Sequence, residues 1–201
     1  MNAADLELIK QINRLWKPVY PHLGRQIQEL YGRRNGKVLE IGPFSGVIFS
    51  LTKDSIGTSS AIASFPPGMA DSYRQEAREA GLADRIQVVE SDSTLGGIDT
   101  ASIDLAIFRG AFFFPSIFEI DLAAIERVLK PGGIAFVGGG FGKYTPNNVL
   151  LDLGKRSREL NLSIGKIERT DQTLRKIVAD SGLKAQTTII EEGGLWVLIR
   201  K

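Results

Sequence analysis

A glycine-containing turn between a short apolar strand and a helix is the feature that most constrains the fold of this chain. Residues Val38 to Ile41 read as a strand, and the apolar run Val47–Leu51 reads as a helix. The segment between them, Gly42-Pro43-Phe44-Ser45-Gly46, has a glycine at each end. Such a junction directs backbone N–H groups and the positive end of a helix dipole toward one point, which suits a nucleotide-like ligand.

Two common nucleotide-binding patterns do not fit this turn. A dinucleotide fingerprint needs G-x-G-x-x-G with an acidic residue about 20 positions further on, and a P-loop needs G-x-x-x-x-G-K-[ST]. Here the spacing is G-x-x-x-G, with Glu40 two residues before the first glycine. A nicotinamide-dependent oxidoreductase is therefore disfavoured.

Strand and helix patterns alternate from about residue 37 to residue 138. After the first strand, we predict strands at Ser60–Ser64, Arg85–Glu90 and Ile103–Phe108, with a helix at 67–80. This alternation favours a parallel sheet with helices on both faces. Near the end of the chain, Gln186–Ile190 and Leu195–Ile199 are predicted to form a hairpin.

A second motif, Leu129-Lys130-Pro131-Gly132-Gly133, follows a predicted helix and precedes the apolar run Ile134–Val137. Pro131 cannot continue a helix, and the two glycines accept positive φ. We therefore expect a helix end, a turn and a buried strand. Taken alone, the motif is equally a plain connector between a helix and a strand.

Together, the two motifs resemble those of the class I S-adenosylmethionine (SAM)-dependent methyltransferases. Motif I of that family is written (D/E)-x-G-x-G-x-G, and Phe44 stands in the place of its middle glycine, where its ring either points away from the ligand or narrows the pocket. The resemblance covers about residues 37–138. It implies an α/β fold, a three-layer Rossmann-like sandwich with a mostly parallel seven-stranded sheet and a C-terminal antiparallel hairpin.

The same resemblance implies a single methyltransferase-like domain over residues 1–201. Its parts would be an N-terminal helical lid at 1–35, a SAM-binding core at 36–138 and a C-terminal half at 139–201, with a substrate-side insertion at 143–168. Two helices are expected in the lid, separated by a break near Pro18 that would hold Tyr20 and His22. The alternative is that these helices simply cover a face of the sheet. The glycine-rich segment 138–142 is either a second ligand loop or a flexible connection.

The resemblance also assigns parts of the cofactor to residues. Glu40 would orient the turn and face the methionine ammonium, and the turn backbone would approach the methionine and ribose portions. Ser64 stands where the family usually has an acidic residue for the ribose, Phe65 would pack on the adenine, and Asp92 would accept from the adenine amino group. The expected cofactor-binding residues are Glu40, Gly42, Pro43, Phe44, Ser45, Gly46, Ser64, Phe65, Asp92, Ser93, Arg109 and Gly110.

The acceptor is less constrained by the sequence. The run Phe112-Phe113-Phe114 would give an aromatic wall near the methyl group, although at least one of these rings is expected in the core. We expect a small-molecule acceptor and S-adenosylhomocysteine as the second product. No general base is assigned; Tyr20, His22 and Arg109 are the only candidates for a catalytic role. The alternative is a non-catalytic binding or regulatory domain, because Ser64 and Phe44 depart from the family pattern.

Composition is consistent with this interpretation. The chain has 201 residues, 43% hydrophobic residues, no cysteine and a formal net charge of +2 with scattered cations. These features predict one cytoplasmic domain, with no metal site, no nucleic-acid partner and no membrane segment. The sequence does not predict the oligomeric state.

Overall fold

One seven-stranded sheet organises the molecule. The computed structural model describes residues 3–201, so the first two residues of the predicted lid lie outside the described part. The elements are α1 (Ala3–Trp16), a short 3-10 helix (Lys17–Val19), α2 (Tyr20–Tyr31), β1 (Lys37–Ile41), α3 (Val47–Lys53), β2 (Ser59–Ser64), α4 (Ala70–Glu79), β3 (Ile86–Glu90), β4 (Ile103–Arg109), α5 (Leu122–Val128), β5 (Leu129–Gly139), α6 (Asn147–Ser163), α7 (Asp171–Asp180), β6 (Gln186–Ile190) and β7 (Leu195–Arg200).

The strand order is β3-β2-β1-β4-β5-β7-β6. Strands β1 to β5 pair in parallel, whereas β7 runs antiparallel to both β5 and β6. The predicted α/β architecture and terminal hairpin are therefore confirmed. Right-handed crossovers require α3 and α4 on one face of the sheet and α5 on the other. The chain order reverses between β1 and β4, and open α/β sheets bind ligands at the carboxyl ends of such strands.

The central strands are apolar because both faces of the sheet are covered. Every residue of β4 is buried, and so is β1 after Lys37. Strands buried on both faces read as continuous apolar runs, which is why they were predictable from the sequence. None of the helices in residues 3–201 combines the length and apolarity needed to cross a bilayer.

Three local predictions are corrected. Tyr20 and His22 lie in the first turn of α2, because the break at Pro18 is only a short 3-10 helix. Helix α4 begins at Ala70 rather than Pro67. Strand β5 already begins at Leu129: the register passes from the pair Ile103–Leu129 to the pair Leu105–Ile134, so Pro131 and its glycines form an irregularity inside the strand. Of the two glycines, Gly132 has a positive φ of 76° and Gly133 does not.

Glu40 fixes the junction between β1 and α3. Its buried carboxylate accepts hydrogen bonds from the backbone N–H groups of Gly46 at 2.8 Å, Val47 at 3.2 Å and Ile48 at 2.8 Å. These amides belong to the first turn of α3, where they have no partner inside the helix. Burial raises the pKa of Glu40 to about 6, although the three amides and the nearby Arg109 favour the charged form.

The titration of Glu40 predicts a pH dependence of stability. Its folded pKa of about 6 lies above the ordinary value of 4.5, so the folded state holds the proton more tightly than the unfolded chain. This stabilising contribution is complete below pH 4.5 and is lost as the pH rises through 6; it amounts to about 2 kcal/mol at about 1.4 kcal/mol per pH unit. Glutamine does not titrate, so the free energy of unfolding of Glu40→Gln should not show this loss as the pH rises.

Chemical denaturation of both proteins across this pH range measures the difference. Exposed Glu159 gives a matched control, because Glu159→Gln should follow the wild-type profile. Parallel profiles for wild type and Glu40→Gln would contradict the prediction.

Candidate functional site

The turn Gly42–Gly46 lies at the carboxyl end of β1, where the chain bends under a steric constraint. Gly42 has a φ of 88°, and its N–H donates to the Ala63 carbonyl at 2.9 Å. A Cβ at Gly42 would lie 2.7 Å from the Phe108 ring, so both the backbone conformation and the packing require glycine.

Two side chains that the sequence did not indicate hold the turn in place. The Pro43 carbonyl accepts hydrogen bonds from the Tyr73 hydroxyl at 2.5 Å and from Asn13 Nδ2 at 2.8 Å. The Ser45 N–H donates to the Tyr73 oxygen at 3.3 Å, and the Ser45 hydroxyl donates to the Gly42 carbonyl at 2.9 Å. Asn13 comes from α1 and Tyr73 from α4, so only the tertiary fold brings them to this turn.

Aromatic side chains cover the turn. All five residues from Gly42 to Gly46 are buried. A Cβ at Gly46 would overlap the Tyr20 ring, and one at Gly110 would overlap the Phe44 ring. Phe44 therefore faces Gly110 and packs on Phe114, with a centroid separation of 4.4 Å. A ligand can reach the turn backbone only when Tyr20 or its neighbours move.

Arg109, at the end of β4, joins the turn to the N-terminal helices. It is only 4% exposed; its Nε donates to the Phe44 carbonyl at 2.9 Å, and its Nη2 donates to the Tyr20 oxygen at 2.9 Å. The guanidinium lies over the rings of Trp16 and Tyr20, 4.7 and 4.8 Å from their centroids. Such cation–π contacts stabilise a buried cation.

The two other catalytic candidates differ in their surroundings. The Tyr20 hydroxyl donates to the Asn13 carbonyl at 3.2 Å. Burial raises the pKa of Tyr20, so the phenol keeps its proton near neutral pH and does not serve as a base. His22 is half-buried on α2 and does not line the cavity described below.

Two buried polar atoms flank the turn without a partner among residues 3–201. They are Ser64 Oγ, at the end of β2, and Asn13 Oδ1, on the side chain that holds Pro43. An unsatisfied buried polar group is costly, and a bound ligand can remove that cost. A ligand with both hydroxyl and ammonium groups would satisfy these atoms, and SAM carries both. The residues present therefore fit SAM.

The predicted adenine-side residues lie apart from Arg109. Phe65 packs edge-on against Phe108 and Phe118, at centroid distances of 5.9 and 5.8 Å. Asp92 is exposed and accepts hydrogen bonds from the backbone N–H and the hydroxyl of Thr94, and these bonds lower its pKa. The adenine contacts assigned to Phe65, Asp92 and the half-buried Ser93 stay predictions.

A cavity of about 500 Å³ opens beside the turn, between α1, α6 and the carboxyl ends of β4 and β5. This volume is within the range of small-molecule sites. The cavity meets the predicted site at Phe44, Arg109 and Gly110, whereas Ser64 and Asp92 do not line it. The remaining wall consists mainly of aromatic and α6 side chains: Trp16, Phe113, Phe114, Phe141, Ser157, Arg158, Asn161 and Leu162.

The glycine-rich segment after β5 also forms part of the cavity wall. Gly139 and Gly140 line the cavity, which favours the ligand-loop interpretation of this segment over a flexible connection. The Gly142 N–H donates to the Gly193 carbonyl at 2.7 Å, which fixes the segment on the turn between β6 and β7. Phe113 and Phe114 provide the predicted aromatic wall, and Phe112 is in the core.

Comparison with known proteins supports this arrangement. A candidate SAM-dependent methyltransferase from Methanococcus maripaludis superimposes with a TM-score of 0.80 at 24% identity, covering 100% of this chain and 95% of that chain. A SAM-dependent methyltransferase from Aquifex aeolicus gives a TM-score of 0.64 at 17% identity, covering 96% of each chain. A candidate methyltransferase in complex with the Haloferax volcanii Trm112 activator gives a TM-score of 0.66 at 17% identity, covering 100% of this chain and 98% of that chain.

At these identities the structural similarities show the fold alone. No curated protein is detectably similar to the chain in sequence. Residues 39–137, however, match the family model of the methyltransferase domain, and this stretch contains both motifs, the turn and Arg109. Residues 39–137 are thus a methyltransferase domain, and the chain has the fold of the class I SAM-dependent methyltransferases.

Proposed function

We propose that the protein transfers a methyl group from SAM to a small molecule bound in the cavity. The observation that carries the proposal is that the cavity reaches the glycine turn at Phe44 and the end of β4 at Arg109 and Gly110. SAM, when bound, supplies a methyl group on a sulfonium: the acceptor's lone pair bonds to the methyl carbon as the C–S bond breaks, and that electron pair stays on the sulfur of S-adenosylhomocysteine.

Residues around the turn would hold the cofactor. Ser64 would contact the ribose, and Asp92 with Ser93 the adenine amino group, as the resemblance implies. The methionine ammonium is the remaining donor of SAM, and we assign it to the unpartnered Asn13 Oδ1. The nearby buried Glu40 carboxylate favours a cation at this place, while it also holds the first turn of α3.

The cavity walls supply alignment and shelter from water rather than acid–base chemistry. Its aromatic lining excludes solvent from the reacting atoms, and a defined pocket fixes the acceptor's orientation. Tyr20 stays protonated. Among the described residues that line the cavity, the single carboxylate is Glu168, whose side chain is 86% exposed. An acceptor that has a proton to lose would therefore have to lose it to water before it binds.

Helices α1 and α2 act as the lid in this proposal. They carry Asn13, Trp16 and Tyr20, which contact the turn and the cavity. Their displacement would uncover Gly46 for the cofactor. The segment 143–168 would shape acceptor access, and the contribution of α6 to the cavity wall supports this role. A cytoplasmic location stays a prediction from the sequence.

Fold relatives with named substrates support a small acceptor. The geranyl diphosphate C-methyltransferase from Streptomyces coelicolor A3(2) shares 14% identity with this chain at a TM-score of 0.58, covering 88% of this chain and 78% of that chain. Its substrate, geranyl diphosphate, is a small molecule.

The role of Asn13 can be tested by comparing two ligands, one with and one without the amino acid portion of the cofactor. We expect Asn13→Ala to weaken S-adenosylhomocysteine binding by about 1–3 kcal/mol, because the ammonium loses its acceptor. Methylthioadenosine lacks the amino acid portion, so its affinity should not change. Isothermal titration calorimetry with both ligands measures the difference, and Asn148→Ala, at an exposed asparagine of α6, is the matched control.

Two outcomes would contradict these assignments. Equal losses for both ligands would show that Asn13 only supports the turn. Failure of the wild-type protein to bind S-adenosylhomocysteine at millimolar concentration would reject the proposed function itself.

Filling the cavity should separate acceptor binding from cofactor binding. Gly154 of α6 lines the cavity, and a Cβ added there meets no atom within 4 Å. Gly154→Leu should therefore fold and retain its affinity for S-adenosylhomocysteine. Because the larger side chain fills the cavity, transfer of labelled methyl from SAM into the low-molecular-mass fraction of a cell extract should fall at least tenfold. This corresponds to about 1.4 kcal/mol in activation free energy.

Gly154→Ala serves as the control because it adds one methyl group and should stabilise the helix by up to about 1 kcal/mol. Undiminished methyl transfer by Gly154→Leu would show that the acceptor binds elsewhere.

A further inference from the structure

The charge on the cavity wall points to a class of acceptor. Three cationic side chains line it, Arg109, Arg158 and Lys166, against the single carboxylate of Glu168. Most of the remaining lining is apolar, with seven aromatic or aliphatic side chains: Ile12, Trp16, Phe44, Phe113, Phe114, Phe141 and Leu162. The wall is therefore apolar and positively charged.

Arg109 lies at the inner end, next to the turn. Its Nε and Nη2 are bound to the Phe44 carbonyl and the Tyr20 hydroxyl, which hold the guanidinium in one orientation. Its Nη1 makes no hydrogen bond with any residue from 3 to 201. No carboxylate in that range forms an ion pair with Arg109, but its charge also favours the ionised form of the nearby buried Glu40, so a ligand in the cavity would share this cation with Glu40.

The two other cations lie at the rim and make only weak ion pairs or none with neighbouring side chains. Lys166 Nζ is 3.5 Å from a Glu168 carboxylate oxygen and 5.7 Å from the centroid of the Phe113 ring. Arg158 is exposed and forms no ion pair or hydrogen bond within the described chain. An exposed, long ion pair such as Lys166–Glu168 contributes little, so an incoming anion can replace it.

We propose that the acceptor is a small molecule with an apolar or aromatic body and an anionic group. This inference rests on the proposed function and names its substrate class. The apolar body would lie against Phe113, Phe114 and Phe141, while Arg158 and Lys166 hold the anionic group at the rim. A cationic acceptor is disfavoured because both the wall and the sulfonium would repel it.

The absence of a buried base agrees with this class. Among the described residues lining the cavity, none is an aspartate or a histidine, and the one glutamate is at the exposed rim. The reacting oxygen is a separate group, placed at the inner end near Arg109 rather than at the rim; if it is itself an anion, it has no proton to lose before methylation. The cavity therefore suits a carboxylate or an acidic phenol without further catalytic groups.

Two fluorescent probes test the proposal without knowledge of the natural acceptor. Anilinonaphthalene sulfonate has an apolar body and an anionic group, and phenylnaphthylamine is a neutral counterpart of similar shape. We expect the wild-type protein to bind the sulfonate at least tenfold more tightly. Combining Arg158→Ala with Lys166→Ala should reduce the sulfonate affinity by about fivefold or more and leave the neutral probe unchanged.

Helix α6 also offers a matched control pair. Lys155 and Arg156 are exposed on the same helix but do not line the cavity, so replacing both with alanine removes the same charge at the wrong place. The affinity of this control variant for each of the two probes should equal that of the wild type. Gly154→Leu should weaken both probes, which would locate them in the cavity.

Three results would overturn the proposal: equal wild-type affinity for the two probes, equal effects of the cavity pair and the control pair, or complete displacement of the sulfonate by S-adenosylhomocysteine, which would assign the cavity to the cofactor. Calorimetry with S-adenosylhomocysteine on the same proteins separates these failures from failure of the proposed function, since that ligand should bind all of them.

Discussion

The buried carboxylate of Glu40 is the interaction on which the rest of the site depends. It binds three backbone amides at the start of α3 and so determines how the chain leaves β1. The position of the turn then determines where Asn13, Tyr73 and Arg109 can bind it. A single charged group without water around it is costly. Here the amides and the nearby guanidinium of Arg109 offset only part of that cost, because burial still raises the pKa of Glu40 to about 6.

Arg109 has a comparable role on the other side of the turn. Its guanidinium binds the turn carbonyl of Phe44 and the hydroxyl of Tyr20, and it lies between two aromatic rings. It thereby connects β4, the turn and the N-terminal helices through one side chain. The residue that shapes the inner end of the cavity is thus the same one that holds the N-terminal helices against the turn.

Much of the fold was predictable because the central strands are mostly apolar and glycine or proline marks many of the segment ends. Strands β2, β3 and β4 were predicted within one residue at each end. The start of β5 was not, because Pro131 and Gly132 look like a turn, and only the pairing of Leu129 with Ile103 keeps them within the strand. Local residue preferences do not report such long-range pairing.

The site was predicted in part, for a related physical reason. Glu40, the turn and Arg109 are close in the fold because each follows or ends a neighbouring parallel strand. Asn13 and Tyr73 come from helices whose patterns show only which residues are buried. The sequence does not show whether the Phe44 ring faces the ligand path. Its packing on Gly110 and Phe114 directs the ring to the cavity wall.

Helix α1 reaches both halves of the site. One turn of it binds Pro43 through Asn13, and the next places Trp16 in a parallel stack with Phe141 at a centroid distance of 4.6 Å, with its indole N–H bonded to Ser157 at 3.0 Å. A rigid helix cannot release one of these contacts and keep the other. If α1 moves to admit the donor, as the proposed lid role requires, the acceptor pocket opens with it. In that case binding would follow a compulsory order, with the donor first and the acceptor second.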